Sequence, residues 1–138
     1  MNESRPPTLL RVVFLVHGLI TSAGAVVLTV WPAAIPAAVG ITMERSDFLV
    51  VYLGGAAELA AAVLSFGAMR LTDRGAVGLV VMTLVVLHGA SGLLNLLYMA
   101  QNGVSTVLIA NTCARAAAVV VLLVAWRVSA HQTWDTSR

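Results

Sequence analysis

Three ionisable residues, Glu58, His88 and Arg115, stand in the middle of three separate apolar runs. In hydrocarbon an ionisable group at the centre costs at least about 2.5–3.5 kcal/mol on insertion scales, so three of them need one another or a polar cavity. A carboxyl and an imidazole in one site make an acid/base pair. Burial disfavours the charged form of each, while a neighbouring guanidinium favours the carboxylate, and such opposed pushes can set two proton affinities apart. Arg115 has two roles open to it: holding Glu58 ionised, or gripping an anionic or carbonyl oxygen of a ligand. The reactions that suit this set are proton transfers on a lipophilic substrate, without a cofactor: double-bond isomerisation, epoxide opening or cyclisation of a polyketide or terpenoid.

The neighbours of these residues fall on helical faces, where positions i, i+3, i+4 and i+7 meet. Gly54, Glu58, Ala61 and Ser65 make one polar, small-residue stripe. His88, Ser91 and Asn95 make a second, with Gly92 beside it, and Asn111 and Arg115 a third, with Thr112 adjacent. His17, Thr21 and Gly24 make a fourth. Asn95, Asn111 and Tyr98 are candidates for neutral hydrogen bonds to ligand oxygens, and Ser91, His17 and Thr21 extend the same lining. The plainer alternative is that Ser, Thr, Asn and His join helices by hydrogen bonds worth about 1 kcal/mol each. For Ser91, Asn95, Asn111 and Thr21 taken singly, that packing role stands. Glu58 and Arg115 also have a plain reading, as an ion pair that fixes the bundle. A buried ion pair stabilises poorly compared with packed apolar side chains, which favours function for the three ionisable residues together.

The elements that must position them are four apolar segments, about Leu9–Trp31, Phe48–Met69, Ala76–Ala100 and Val104–Trp126. Each is close to the roughly 20 residues that cross about 30 Å of hydrocarbon as a helix. Backbone groups in lipid must bond internally, so the expected fold is all-α: an integral membrane, antiparallel four-helix bundle forming a single domain. The first segment has some marks of a cleaved signal peptide, with Arg5 and Arg11 before it, but it is long for one and His17 and Thr21 interrupt it. Trp31-Pro32 ends the first helix. Ser46-Asp47 and Thr72-Asp73 are capping signals for the second and third, and Asn102-Gly103 is a tight turn. The loop 32–47, partly apolar, is either a short interfacial helix over one mouth of the bundle or a plain connector.

Arg5, Arg11, Arg70, Arg74, Arg127 and Arg138 flank one side of these segments and only Arg45 the other. Positive charge stays inside, so both termini are expected in the cytoplasm of a cell whose inner membrane the chain crosses several times. Tyr52 and Tyr98 then mark the outer interface and Trp126 the inner one. Counting along the helices puts Glu58, His88 and Arg115 at nearly one depth, with His17 slightly nearer the cytoplasm. Asn95 and Asn111 lie in the outer half, so the pocket is expected to run from the midplane outwards.

Composition agrees. The 138 residues are 59% hydrophobic and 10% charged, with a mean hydropathy of +0.94, where a soluble domain carries roughly a quarter charged residues. A net charge of +2 is too small to argue for nucleic acid. Cys113 is the only cysteine, which excludes an internal disulfide or a cysteine-pair redox site. Gly89–Leu93 (GASGL) misses the nucleophile elbow G-x-S-x-G at its last position and has no strand-to-helix turn. His17 and His88 at different depths argue against paired haem ligands. A metal site of His17, Glu58 and His88 lacks the H-x-x-x-H spacing. There is no Asp-rich diphosphate motif and no phosphate-cradling loop.

Two resemblances attach to these residues. An apolar helix, then W-P with an alanine-rich loop, then YLGGAAEL at Tyr52–Leu59 resembles the small four-helix membrane proteins of the DoxX-like group. The likeness extends to a proline and glycine in the loop, Pro32 and Gly40, and covers most of residues 9–127. It implies a four-helix fold and little about activity. YLGGA followed by Glu58 is also similar to the first helix of small multidrug resistance transporters, four-helix proteins that exchange protons for cationic drugs at one membrane Glu. Here the segment lies on the second helix, the Glu comes sooner, and Arg115 would repel a cation. Three readings follow: an enzyme working on a lipophilic small molecule; a proton-coupled transporter using Glu58, which would call for a homodimer; and a non-catalytic subunit binding membrane lipid or a quinone.

Overall fold

The computed structural model describes residues 6–132. Its helices are α1 (Thr8–Val30), a short α2 (Ala34–Ala38), α3 (Phe48–Ala68), α4 (Arg74–Asn102) and α5 (Thr106–Gln132), with one 3₁₀ turn at Arg45–Asp47 just before α3. No strand occurs among the described residues. The four long helices are each long and apolar enough to cross a membrane. Their outer faces are oil: Ile20, Val50, Leu79 and Val104 are all more than 60% exposed. In water so large an apolar surface would be untenable; in lipid it is the expected exterior.

The long helices form a ring. α1 packs along α3 and α4 along α5; α1 also meets α5, and α3 meets α4. That leaves α1 facing α4, and α3 facing α5, across the two diagonals. Neighbours run antiparallel. Rising positions in α1 meet falling positions in α3: Gly18 lies beside Phe66, and Leu28 and Thr29 beside Gly55. Likewise Gly78 of α4 lies beside Trp126 of α5, and Gly92 beside Arg115. The start of α1, the α3–α4 link and the end of α5 therefore share one end of the bundle, and α2 and the α4–α5 turn share the other.

The local stops follow from single residues. The Asp73 side chain accepts from the Ala76 N–H at 2.6 Å and caps α4. Gly103, with φ +95°, ends α4 in a region that glycine alone enters without strain. Asp47 does not cap α3 with its side chain; its carboxylate instead accepts from the Glu44 N–H at 3.0 Å and closes the 3₁₀ turn. α5 runs past the expected end at Trp126 because no Gly or Pro interrupts residues 127–132. Several hydroxyls are satisfied within their own helices. Thr21, Thr83 and Thr112 each donate to the carbonyl four residues back.

The two ends differ in filling. At the end holding the termini, Leu10 and Phe14 of α1, Val77, Val81 and Leu84 of α4, and Leu122 of α5 are buried in one apolar cluster. Ala61 and Ala68 of α3 and Ala125 of α5 complete it. Small residues let the backbones close in, as helix packing in lipid requires. Towards the other end the cluster stops, at the level of His17 and His88.

Candidate functional site

Each long helix contributes one ionisable side chain to the centre of the ring. Both diagonals are bridged. His17 Nε2 of α1 lies 2.7 Å from His88 Nε2 of α4, the two rings nearly edge-to-face. Arg115 Nη2 of α5 lies 3.4 Å from Glu58 Oε1 of α3. A third contact links the diagonals: Arg115 Nη1 is 3.4 Å from His88 Nδ1. Glu58 and His88 therefore touch the same guanidinium, one on each side.

The network has two ends. On one, His17 Nδ1 is 2.8 Å from the hydroxyl of Ser65, a wholly buried residue of α3 whose hydroxyl donates to the Ala61 carbonyl. On the other, Asn111 Oδ1 accepts from Arg115 Nε at 2.8 Å and from Asn95 Nδ2 at 3.0 Å. This double acceptance fixes the orientation of the Asn111 amide and leaves its Nδ2 as a donor without a partner among the described contacts.

Above this network is a cavity of about 430 Å³, within the range that encloses drug-sized ligands. Glu58, His88, Arg115, His17, Asn95 and Asn111 supply its polar lining, with Thr21 beside them. Its walls are Ile20 and Leu28 of α1 and Val107 and Leu108 of α5, and Ile35 of α2 closes over it together with Val39 just after that helix. Ile20, Ile35 and Val107 of this lining are themselves exposed, so the cavity is open between α1 and α5. The side chains of Glu58 and Arg115 retain 20% and 21% exposure, because they face this space. His17 and His88 retain 8% and 7%.

Two residues named from the sequence are not brought in. Ser91 is half-buried and Tyr98 exposed, and neither lines the cavity. Helical geometry explains the split. At 3.6 residues per turn, Asn95 lies only about 20° around the helix from His88, whereas Ser91 is about 60° away and Tyr98 about 80°. Counting along the helices puts His17 slightly nearer the end that starts α1 than His88, and their rings nevertheless meet. An axial offset of less than one turn, about 5.4 Å, is within reach of two imidazoles pointing at each other. Ser65 was missed as a site residue; its place seven residues after Glu58 on the same stripe was the available signal. Among the described residues no three His, Cys, Asp or Glu side chains cluster as metal ligands.

The cavity thus pairs an apolar wall with a carboxylate and an imidazole, groups able to exchange a proton, and with the guanidinium and Asn111 amide, which are hydrogen-bond donors. No protein-family model, no curated protein and no solved structure matches the chain.

Proposed function

We propose that the protein is a membrane enzyme that carries out cofactor-independent proton transfer on a neutral lipophilic molecule, as in an isomerisation, an epoxide opening or a cyclisation. The observation that carries this reading is the convergence of Glu58, His88 and Arg115, from three helices, on one cavity wall. Glu58 and His88 act as the acid/base pair, one taking a proton and the other returning one at a neighbouring atom. Arg115 and Asn111 hold the substrate oxygen, and the fixed guanidinium stabilises negative charge as it develops there, an arrangement that needs no reorganisation during reaction. Glu58 balances Arg115, so the site favours a neutral ligand over a free anion or a cationic drug. The surplus of arginines at the end holding the termini supports a cytoplasmic position for that end in the inner membrane, with the cavity in the outer half.

The packed cluster below His17 and His88 favours this reading over transport, since a transporter must expose Glu58 to both sides in turn. The test uses purified protein in lipid vesicles, D₂O and a total lipophilic extract of the producing cells. Mass spectrometry should find a component that gains deuterium or changes retention at constant mass only when the wild-type protein is present. Glu58→Gln and His88→Ala should each abolish that change. If no component changes, and the vesicles instead show proton flux that is lost in Glu58→Gln alone, the protein is a transporter and the enzymatic reading is wrong.

A further inference from the structure

The hydrogen bonds across the centre have a direction that the residue types impose. Arg115 can only donate. The Ser65 hydroxyl has one proton and gives it to the Ala61 carbonyl at 2.8 Å. Its contact with His17 Nδ1, also 2.8 Å, therefore needs the proton on His17. With Nδ1 protonated, neutral His17 has a bare Nε2, so the 2.7 Å contact between the rings takes its proton from His88 Nε2. That leaves His88 Nδ1 bare, which is what the Arg115 N–H beside it requires. The reverse order would set a His88 N–H against an Arg115 N–H.

We infer that Ser65 and His17 form a proton relay behind His88. They hold His88 with Nδ1 as its basic atom, facing Arg115 and the cavity, and His17 is the residue on which an abstracted proton comes to rest. The catalytic consequence rests on the acid/base reading above; the proton order does not. A base beside a guanidinium is in conflict with it, because the imidazolium it forms is a like charge next to a cation. The relay removes the like charge, and Arg115 Nη1 need only turn from His88 Nδ1 while that atom holds the proton. When His88 Nδ1 accepts a proton, Nε2 passes its own proton to His17 Nε2. His88 is then neutral again, protonated on Nδ1, and the positive charge sits one ring further from Arg115. Return of the proton reverses both transfers, so nothing is consumed. His17 is thus a positioning residue and proton store, not a ligand to the substrate, and Ser65 sets its tautomer.

Nitrogen NMR of ¹⁵N-histidine-labelled protein in vesicles, with no ligand added, tests the order directly. The chain has three histidines, so His17 and His88 signals can be assigned by substitution. The expected spectrum has His88 protonated on Nε2 and bare on Nδ1, His17 protonated on Nδ1 and bare on Nε2, and a coupling across the hydrogen bond between the two Nε2 atoms. Ser65→Ala should mix the tautomers, and His17→Gln, whose amide oxygen still accepts from His88, should leave the His88 tautomer as it is. In the D₂O assay with the same extract, His17→Gln should lower deuterium incorporation about 100-fold despite the intact His88 tautomer. If both rings are protonated on Nε2, or the tautomers ignore Ser65→Ala, the relay is wrong even where Glu58-dependent turnover is found. If the tautomers are as stated but no extract component is ever deuterated, the proton order stands and the enzymatic reading falls.

Discussion

The two ends of the bundle are made of the same four helices and nearly the same oil, yet one is solid and the other hollow. At the end holding the termini, Leu10, Phe14, Val77, Val81 and Leu84 fill the space between helices. At the end roofed by α2, the helix pairs remain tight within themselves: Gly55 of α3 leaves only 3.1 Å for a Cβ against Thr29 of α1. The space opens between the pairs, α1 against α5. Lipid tails solvate a leucine as well as a protein core does, so burying apolar surface gives no general push to close such a gap. Only fitted side chains close it. Where the α1–α5 seam carries Thr21, Gly24, Asn111 and Ala114 instead, the gap persists and can hold a ligand.

Substitutions should therefore affect one end through stability and the other through binding. The largest effect is expected from Glu58→Gln, which keeps an oxygen for Arg115 but cannot take a proton. Deuterium incorporation should fall at least about 100-fold, with the unfolding midpoint in vesicles or bicelles little changed; a collapse of stability instead would make Glu58 a structural ion pair. Next is Phe14→Ala at the solid end. It should cost about 2–3 kcal/mol in reversible unfolding, less than the about 3–5 kcal/mol of a soluble core because lipid already solvates the apolar chain. Activity per folded molecule should hold. Ala118→Leu on the cavity lining should do the opposite, blocking bulky substrates while stability stays within about 0.5 kcal/mol. The smallest effect separates two glycines of α1. A Cβ at Gly18 would come within 2.6 Å of the Phe66 ring, whereas one at Gly24 meets nothing within 4 Å. Gly18→Ala should lose about 1 kcal/mol and Gly24→Ala nothing; equal losses would mean that the seam at Gly24 closes in the membrane.

Much of this was legible in the sequence, for a physical reason. Apolar length sets the spans, so α1 and α3 begin and end within a residue of expectation, while α4 and α5 run on because helices continue past the hydrocarbon until something stops them. Depth and the cost of either charge alone in lipid bring Glu58 and Arg115 together but leave two roles open to Arg115, and it is the structure that pairs them at 3.4 Å. The His17–His88 contact did not follow from depth, since it depends on which faces meet across a diagonal, and a one-dimensional count carries no azimuth. For the same reason Ser91 and Tyr98 were grouped with Asn95 although they turn away from it. Ser65 stands in the polar, small-residue stripe of α3, and only its neighbour across the α1–α3 seam reveals a hydrogen-bond acceptor.

On the proposed reading, the gap between α1 and α5 lies on one side of the His17–His88 contact, so the site would sample a single leaflet. A molecule dissolved in the opposite leaflet would first have to flip. Occupancy would then follow mole fraction in the accessible monolayer, not concentration in water, and dilution with inert lipid should compete with the substrate as surely as an inhibitor would.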